Sequence, residues 1–161
     1  MDIRIGQGID IHPFKAGRRC VLGGVDIPSQ RGLDGHSDAD ALTHALIDAV
    51  LGAIGQRDIG TLFPDTDAEF KDADSIGLLT KVWGLARGEG WSLVNADVTL
   101  LAQVPKIKPY VTKMQERLSG VFGCDLNRVT IKATTTERLG FIGREEGVLA
   151  SAVVLLQRAA A

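Results

Sequence analysis

The stretch DGHSDADALTHALIDAVLGAIG, residues 34–55, contains the most informative helix signal in the chain. Leucine and alanine recur at steps of three and four from Leu42 to Ala53, which is the spacing of one face of an α-helix. Ser37 or Asp38 can act as the N-cap, and Gly55 can end the helix. The stretch therefore predicts an amphipathic helix that follows a polar turn.

Strand signals lie on both sides of this helix. Isoleucines at alternate positions from Ile3 to Ile11 predict an N-terminal strand, and residues 20–27 predict a second strand that pairs with it as a hairpin. Further along we expect a helix over 76–86, a strand over 93–102, a helix after Pro109, and strands over 129–133 and 148–156, with a loop at 58–67. This order favours an α/β (α+β) fold with a single mixed sheet and about three helices on one face.

Bulk properties limit the class of protein. A chain of 161 residues that is 45% hydrophobic is expected to form one domain over 1–161. With 18 basic and 20 acidic residues the net charge is −2, which argues against a nucleic-acid or membrane partner. We find neither a signal peptide nor an apolar run of about 20 residues, so we expect a cytoplasmic protein. Cys20 and Cys124 suggest buried small hydrophobes rather than a disulfide framework.

A carboxylate and two imidazoles form a candidate metal site. Asp10 and His12 lie two residues apart in a strand and so share a face, and His44 lies on the polar side of the long helix. This donor set suits a zinc-like ion and leaves a fourth tetrahedral position free, and Asp40 or Asp48 can orient the second nitrogen of His44. The alternative is that Asp10 caps a turn and both histidines are merely solvated or hydrogen-bonded.

The turn before the long helix suggests phosphate binding, whereas a glycine pair in the first strand does not. His36 and Ser37 precede a helix N-terminus, which favours an anion, although the neighbouring aspartates also fit simple capping. Gly6-x-Gly8 lacks the third glycine of a dinucleotide fingerprint and indicates only backbone room near Asp10.

The segment AQVPKIKP (102–109) supplies two lysines, and the segment KATTTER (132–138) supplies three hydroxyls and a carboxylate. Together they can hold phosphates and a second, oxygen-preferring cation through Glu137. Strand-filling threonines and a solvated lysine loop are equally simple interpretations of these local patterns.

Five motifs in order connect these observations to a known family. They are GIDIHPF (8–14), LGGVDIP (22–28), GLDGHSDADALTHALIDAVLGAIG (32–55), DIGTLFPDTD (58–67) and KATTTERLGFIGREEG (132–147). Together they resemble the 2-C-methyl-D-erythritol 2,4-cyclodiphosphate synthases of the non-mevalonate isoprenoid pathway, with a match from about Ile5 to Leu156. The resemblance implies a phosphorus-oxygen lyase that converts 4-diphosphocytidyl-2-C-methyl-D-erythritol 2-phosphate to 2-C-methyl-D-erythritol 2,4-cyclodiphosphate and releases CMP.

The resemblance also implies roles for individual residues. Asp10, His12 and His44 would bind Zn²⁺, Glu137 would assist a Mg²⁺ or Mn²⁺ ion at the diphosphate, and His36 and Thr135 would be the catalytic residues that stabilise the transition state. The positions that match substrate-binding segments are Asp10, His12, His36, Ser37, Asp58, Ile59, Gly60, Phe63, Pro64, Asp65, Thr66, Asp67, Ala102, Gln103, Val104, Pro105, Lys106, Ile107, Lys108, Ala133, Thr134, Thr135, Thr136, Glu137, Phe141 and Arg144.

The same resemblance implies a homotrimer with active sites between adjacent subunits. Phe141 and Arg144 match the central channel, where this family can hold an isoprenoid diphosphate. Arg57, Ile142 and Glu145 depart from the usual glycine, threonine and glycine of the family motifs. Two other functions remain to be tested against this one: a metal-dependent phosphohydrolase, and a non-catalytic protein that binds a cytidine nucleotide or an isoprenoid diphosphate.

Overall fold

A five-stranded mixed sheet is the framework of the protein, and a computed structural model describes it over residues 1–64, 66–68 and 71–159. Five strands form this sheet: β1 (Asp2–Ala16), β4 (Arg31–Leu33), β5 (Ser92–Leu101), β6 (Val129–Thr134) and β7 (Gly147–Arg158). The short strands β2 (Cys20–Leu22) and β3 (Val25–Ile27) form a separate pair. The helices are α1 (Ala41–Ala53), α2 (Ile59–Leu62), α3 (Ser75–Gly88), α4 (Val111–Phe122) and α5 (Gly140–Gly143). The predicted class, a mixed sheet with helices, is confirmed.

The sheet has the strand order β4-β1-β7-β5-β6. β7 lies antiparallel to both β1 and β5, and β5 lies parallel to β6. On the covered face α1 packs against β1 and β7, α4 packs against β6, and α3 packs against α1 and α4. Among the described helices, none is both long and apolar enough to cross a membrane.

Residues 20–27 do not pair with β1, so that prediction is wrong. They form their own hairpin, β2-β3, which turns at Gly23 and Gly24. Both glycines have positive φ, as a tight two-residue hairpin turn requires, and both donate their N–H groups to the buried carboxylate of Asp40. The strand that pairs with the end of β1 is the short β4 instead.

Helix α1 differs from the amphipathic helix that its spacing predicts. Almost every residue from Ala41 to Ala53 is buried, including Thr43 and His44 on the expected polar side, because α3 covers the side that faces away from the sheet. The interval 58–67, predicted to be loop throughout, contains the short helix α2. The single-domain interpretation of 1–161 stays a prediction.

Two glycines let α1 approach β1 very closely. A Cβ added at Gly6 would lie 1.8 Å from the carbonyl oxygen of Ala49, and one at Gly8 would lie 2.0 Å from that of Ala45. No side chain fits into these gaps, so the backbone room expected near Asp10 is filled by the helix. The contact brings His44 of α1 next to Asp10 and His12 of β1.

The opposite face of β1 is apolar and uncovered in the single chain. Ile3, Ile5, Ile9 and Ile11 are each more than half exposed, and Val153 of β7 is 37% exposed on the same side. An exposed apolar row of this kind is typical of a protein interface.

Candidate metal centre and the surface around it

Asp10, His12 and His44 bring one ligand atom each to a common point. His12 Nε2 lies 2.9 Å from Asp10 Oδ2, and His44 Nδ1 lies 3.3 Å from both Asp10 Oδ2 and His12 Nε2. A tetrahedral ion with bonds of about 2.0–2.1 Å separates its ligand atoms by about 3.3–3.4 Å, so the three atoms already stand almost as ligation requires.

The carboxylate of this group is unsatisfied without a cation. Asp10 Oδ2 is buried, and within the described part of the chain it accepts no hydrogen bond, although two ring nitrogens lie close to it. Burial raises the pKa of Asp10, but His12 and His44 outweigh it and hold that pKa below its usual value. Burial likewise lowers the pKa of His12, and Asp10 reverses the effect and raises it. An orphaned anionic oxygen between two imidazoles fits a divalent metal.

His12 is oriented by the backbone. Its Nδ1 donates to the carbonyl oxygen of Asp34 at 2.8 Å, which leaves the lone pair of Nε2 facing Asp10. This carbonyl belongs to the segment between β4 and α1, so the turn before the helix orients a side chain of the first strand.

The carboxylates proposed to orient His44 do something else, and that prediction is wrong. Asp40 caps α1 through the N–H and hydroxyl of Thr43, and Asp48 accepts the N–H of Ile59 at 2.7 Å. The second nitrogen of His44, Nε2, instead meets two hydroxyls: Ser75 Oγ at 2.8 Å and Ser37 Oγ at 3.1 Å. Sequence reasoning did not connect Ser75 with the site, and nothing in the local pattern relates it to a histidine 31 positions earlier.

A cavity of about 410 Å³ opens beside the three ligand atoms. The structure brings several of the predicted substrate residues into its wall, together with Gly35 and Leu78, which sequence reasoning missed. The wall is formed by Asp10, His12, Gly35, His36, Ser37, His44, Ile59, Gly60, Phe63 and Leu78. The ligand atoms therefore face a space large enough for a small molecule.

Of the DIGTLFPDTD motif, Ile59, Gly60 and Phe63 line this cavity, and the other described residues of the motif flank them in the sequence. His36 donates from Nε2 to the carbonyl oxygen of Asp67 at 3.1 Å. Asp58 caps α2 by accepting the N–H and the hydroxyl of Thr61, both at 2.9 Å. Pro64 is half-buried and Thr66 is exposed, whereas Asp65 lies outside the described residues.

Arg18 holds the loop that carries His36, and sequence reasoning did not single it out. Its guanidinium donates to three carbonyl oxygens of that loop, those of Leu33 at 3.1 Å, Gly35 at 3.1 Å and Ser37 at 2.8 Å. Three donors on one planar group suit three carbonyls of one turn.

The lysine and threonine segments form a second cluster at another place on the sheet. Ala102 N donates to Thr134 O at 3.0 Å, so the ends of β5 and β6 meet, and Gln103 Oε1 accepts the N–H groups of Thr136 and Arg138. Thr135 Oγ1 lies 3.3 Å from Glu137 Oε1. The exposed side chains here include those of Lys106, Lys108, Ala133, Thr134 and Glu137, while Val104, Pro105, Thr135 and Thr136 are half-buried and Ile107 is buried.

Within one chain the second cluster does not reach the first. None of the described residues in 102–108 or 133–137 lines the cavity beside His44. The pairs Ile11↔Leu149, Leu101↔Leu149 and Leu101↔Thr134 put both clusters at the same end of the sheet. They are three strand spacings apart, which is about 14 Å.

The three departures from the family motifs have different structural settings. Glu145 has a φ of 58°, a left-handed conformation that explains the usual glycine, and Arg31 binds its carboxylate at 3.0 Å. Ile142 is 5% exposed and joins the apolar interior, while Arg57 is exposed before α2 and nothing in the structure explains it. Phe141 is 37% exposed, and Arg144 donates to Glu146 at 2.7 Å.

Comparison with known proteins gives consistent results over the whole chain. The model of the YgbB family matches residues 3–157. The 2-C-methyl-D-erythritol 2,4-cyclodiphosphate synthase of Geobacillus thermodenitrificans (strain NG80-2) is 57% identical over 98% of this chain and 99% of the relative. The enzyme of the same name from Bacillus subtilis (strain 168) is 53% identical over 96% of this chain and 98% of the relative.

Solved structures agree with the fold. The bifunctional IspDF from Campylobacter jejuni superposes with a TM-score of 0.94 at 44% identity, covering 98% of this chain and 43% of that one. A CDP complex of IspF from Plasmodium falciparum gives a TM-score of 0.86 at 35% identity, covering 98% and 97%. The chain therefore belongs to the YgbB family, the family of the 2-C-methyl-D-erythritol 2,4-cyclodiphosphate synthases.

Proposed function

We propose that the chain catalyses ring closure of 4-diphosphocytidyl-2-C-methyl-D-erythritol 2-phosphate to 2-C-methyl-D-erythritol 2,4-cyclodiphosphate. An oxygen of the 2-phosphate attacks the β-phosphorus of the same molecule and forms a new P–O bond. The bond from the β-phosphorus to the bridging oxygen breaks, and CMP leaves with that oxygen. No water is consumed, so the reaction is that of a phosphorus-oxygen lyase.

The observation that carries this proposal is the placement of Asp10, His12 and His44 at the wall of a cavity shared with His36 and Ser37. Cyclisation forces two anionic phosphates together, and it needs no protein nucleophile. Positioning and charge neutralisation are then the main tasks of the enzyme. A cation site beside a space of this size serves both tasks.

The donor set points to Zn²⁺ at Asp10, His12 and His44, because two imidazoles and one carboxylate suit a borderline ion. We further propose Mg²⁺ or Mn²⁺ at the diphosphate, assisted by the exposed carboxylate of Glu137. When bound, such ions supply Lewis-acid polarisation of phosphate oxygens and compensate their charge.

The remaining residues would hold the substrate around these sites. Thr135 would donate a hydrogen bond to the phosphates as their charge shifts, and His36, whose ring is oriented by the carbonyl of Asp67, would contact the same phosphates. Asp58 would accept hydrogen bonds from the sugar-alcohol hydroxyls. The 102–108 loop would present backbone groups to the cytosine, with Lys106 and Lys108 as exposed cations beside it.

We propose a homotrimer in which the cavity of one subunit meets the 102–108 and 133–137 segments of the next. Two observations support this arrangement. The two clusters lie at the same end of the sheet but about 14 Å apart, too far to act together on one diphosphate within a chain. The uncovered face of Ile3, Ile5, Ile9 and Ile11 supplies an apolar surface for association.

Phe141 and Arg144 would lie at the central channel of such a trimer and bind an isoprenoid diphosphate. The half-exposed ring of Phe141 suits the hydrocarbon, and the guanidinium of Arg144 suits the phosphate. We also retain the expectation of a cytoplasmic location.

Phosphorus NMR tests the reaction directly. Purified protein is incubated with the phosphorylated cytidine-diphosphate substrate, with Zn²⁺ and Mg²⁺ or with a chelator, and the products are followed over time. We expect equal amounts of CMP and cyclic diphosphate, and none with the chelator. Inorganic phosphate without cyclic product would identify a phosphohydrolase instead, and binding without turnover would identify a non-catalytic nucleotide or isoprenoid-diphosphate binder.

Light scattering tests the assembly. Ile5→Lys puts a charge on the apolar face at a side chain that is 71% exposed in the single chain, so it should produce monomers. Leu85→Lys, at a 49% exposed position on α3, is the matched control and should leave the mass unchanged. A wild-type protein that elutes as a monomer contradicts the trimer.

A further inference from the structure

The side of His44 that faces away from Asp10 is bound in a buried hydroxyl network. His44 is 8% exposed, and Nε2 lies 2.8 Å from Oγ of Ser75, which is fully buried. Ser75 does not line the cavity beside the ligand atoms, so it is out of reach of a molecule bound there. Ser75 is the first residue of α3, but the side chain that caps this helix is the carboxylate of Asp74.

The network determines which nitrogen of His44 carries the proton. Ser75 Oγ makes a short hydrogen bond to Asp38 Oδ1, and a carboxylate only accepts, so the single hydroxyl proton of Ser75 points to Asp38. Asp38 also accepts the backbone N–H groups of Ser75 at 3.0 Å and Asp40 at 3.1 Å, so this carboxylate is surrounded by donors. Ser75 can therefore offer His44 only a lone pair, and Nε2 must be the donor.

A neutral imidazole with its proton on Nε2 keeps the lone pair of Nδ1. That nitrogen is the atom 3.3 Å from both Asp10 Oδ2 and His12 Nε2, at the common point of the candidate metal site. His12 has the opposite arrangement, since its Nδ1 donates to a carbonyl and its Nε2 faces the common point. The two rings thus present different nitrogens to the common point. In each ring, the hydrogen bond made by one nitrogen leaves the lone pair on the other nitrogen.

Ser37 is the weaker of the two hydroxyl partners. Its Oγ lies 3.1 Å from His44 Nε2 and already accepts the backbone N–H of Ala39 at 3.2 Å. It has no carboxylate that directs its proton, so either tautomer of His44 could satisfy it. The selection of the tautomer comes from Ser75 and Asp38.

We propose that Ser75 and Asp38 are positioning residues of the metal site, which hold His44 in the Nε2–H tautomer with the lone pair of Nδ1 directed at the ion. The inference rests on the metal site of the proposed function. Partners of this kind typically change metal affinity by about 10–100-fold when they are removed. Ser75→Ala should therefore weaken metal binding by that factor while the ligands and the helix cap stay in place.

The test measures Co²⁺ binding by visible absorption, which reports both affinity and coordination geometry without any substrate. Wild type, Ser75→Ala and the control Ser119→Ala are compared, since Ser119 is also a buried serine, and its hydroxyl donates to the carbonyl oxygen of Glu116 in its own helix, α4. Circular dichroism of the metal-free proteins verifies that each is folded. We expect the dissociation constant to rise at least tenfold for Ser75→Ala and to stay at the wild-type value for Ser119→Ala.

A second variant and a second signal separate positioning from general damage. If Asp38 acts through Ser75, Asp38→Ala should weaken Co²⁺ binding less in the Ser75→Ala background than in the wild type. In the zinc-loaded wild type, nitrogen NMR of labelled histidine should show His44 protonated at Nε2, and that proton should exchange faster with water in Ser75→Ala.

The outcomes distinguish this inference from the function on which it rests. If wild type binds Co²⁺ and Ser75→Ala binds it within about threefold with the same spectrum, the positioning role is wrong and the metal site stands. A His44 ring protonated at Nδ1 in the zinc protein also overturns it. If wild type itself binds no metal, the proposed site fails and the inference fails with it.

Discussion

Replacement of Gly8 by alanine tests whether the contact between β1 and α1 sets the geometry of the metal site. The new Cβ would stand 2.0 Å from Ala45 O, whereas ordinary contact begins at 3.4 Å, so α1 must withdraw by about 1.4 Å at that point. The obstacle is helix backbone rather than a side chain that can rotate. We therefore expect the upper end of overpacking costs, about 3 kcal/mol of unfolding free energy.

For a chain of 161 residues, that loss corresponds to a fall in Tm of about 6–12 °C. The shift also moves His44 away from Asp10, and a displacement of about 1 Å at a site can cost about 100-fold in activity. Gly84→Ala is the matched control, because it lies in α3 and, apart from its own stretch of helix, none of the described residues comes within 4 Å of the new Cβ. It should raise stability by about 0.5–1 kcal/mol, since alanine favours a helix.

The assay is thermal unfolding of the metal-free proteins by circular dichroism at one protein concentration, followed by Co²⁺ titration. Fixed concentration matters because association of subunits also raises Tm. A Gly8→Ala protein with the wild-type Tm and the wild-type affinity for Co²⁺ would refute the reasoning. It would mean that the strand and the helix can separate without moving the ligands.

Other predictions concern the ligands and the two thiols. His44→Ala should lose bound metal and turnover but keep its fold, at a cost of about 1–3 kcal/mol, and full metal content by elemental analysis would contradict the assignment. Metal-free protein should lose stability as the pH rises from 6.5 through the raised pKa of His12, because His12 beside Asp10 stabilises the fold only while it holds its proton. Urea unfolding across that pH range measures the loss, and the His12→Gln protein should not show this dependence of stability on pH. Burial raises the pKa of Cys20 to about 11, so a thiol reagent at pH 8 should label the half-buried Cys124 first, and equal rates would contradict this expectation.

Local patterns predicted the parts of the site that depend on a single element. Asp10 and His12 share a face because side chains alternate along any strand, and the structure confirms it. The helix signal around Leu42 and Ala53 located the body of α1, and the glycine after it lies just beyond its end, but the N-cap is Asp40 and not Ser37 or Asp38.

Features that arise from packing between distant segments could not be predicted in this way. The burial of the polar side of α1 depends on α3, and the Asp38–Ser75–His44 network joins residues 31 and 37 positions apart. The hairpin of residues 20–27 depends on a carboxylate at position 40. Each of these needs the fold before its partners are known.

The face of β1 that is buried is not the one that hydrophobicity alone predicts. Isoleucines point outward and glycines point to the core, because α1 must come within backbone contact of the strand and only glycine allows it. Apolar residues on the outer face then remain available for another subunit. Single-chain hydrophobicity therefore cannot assign the two faces of this strand.

The separation of the two clusters along the sheet has a genetic consequence in the proposed trimer. Each site would be assembled from the Asp10 side of one chain and the Glu137 side of its neighbour. A chain damaged on one side would spoil a single shared site, whereas a chain damaged on both would spoil the sites on its two flanks. Consider a cell that also makes the normal protein. An allele whose product is destroyed before assembly would then be milder than an allele whose product folds and assembles with both halves defective.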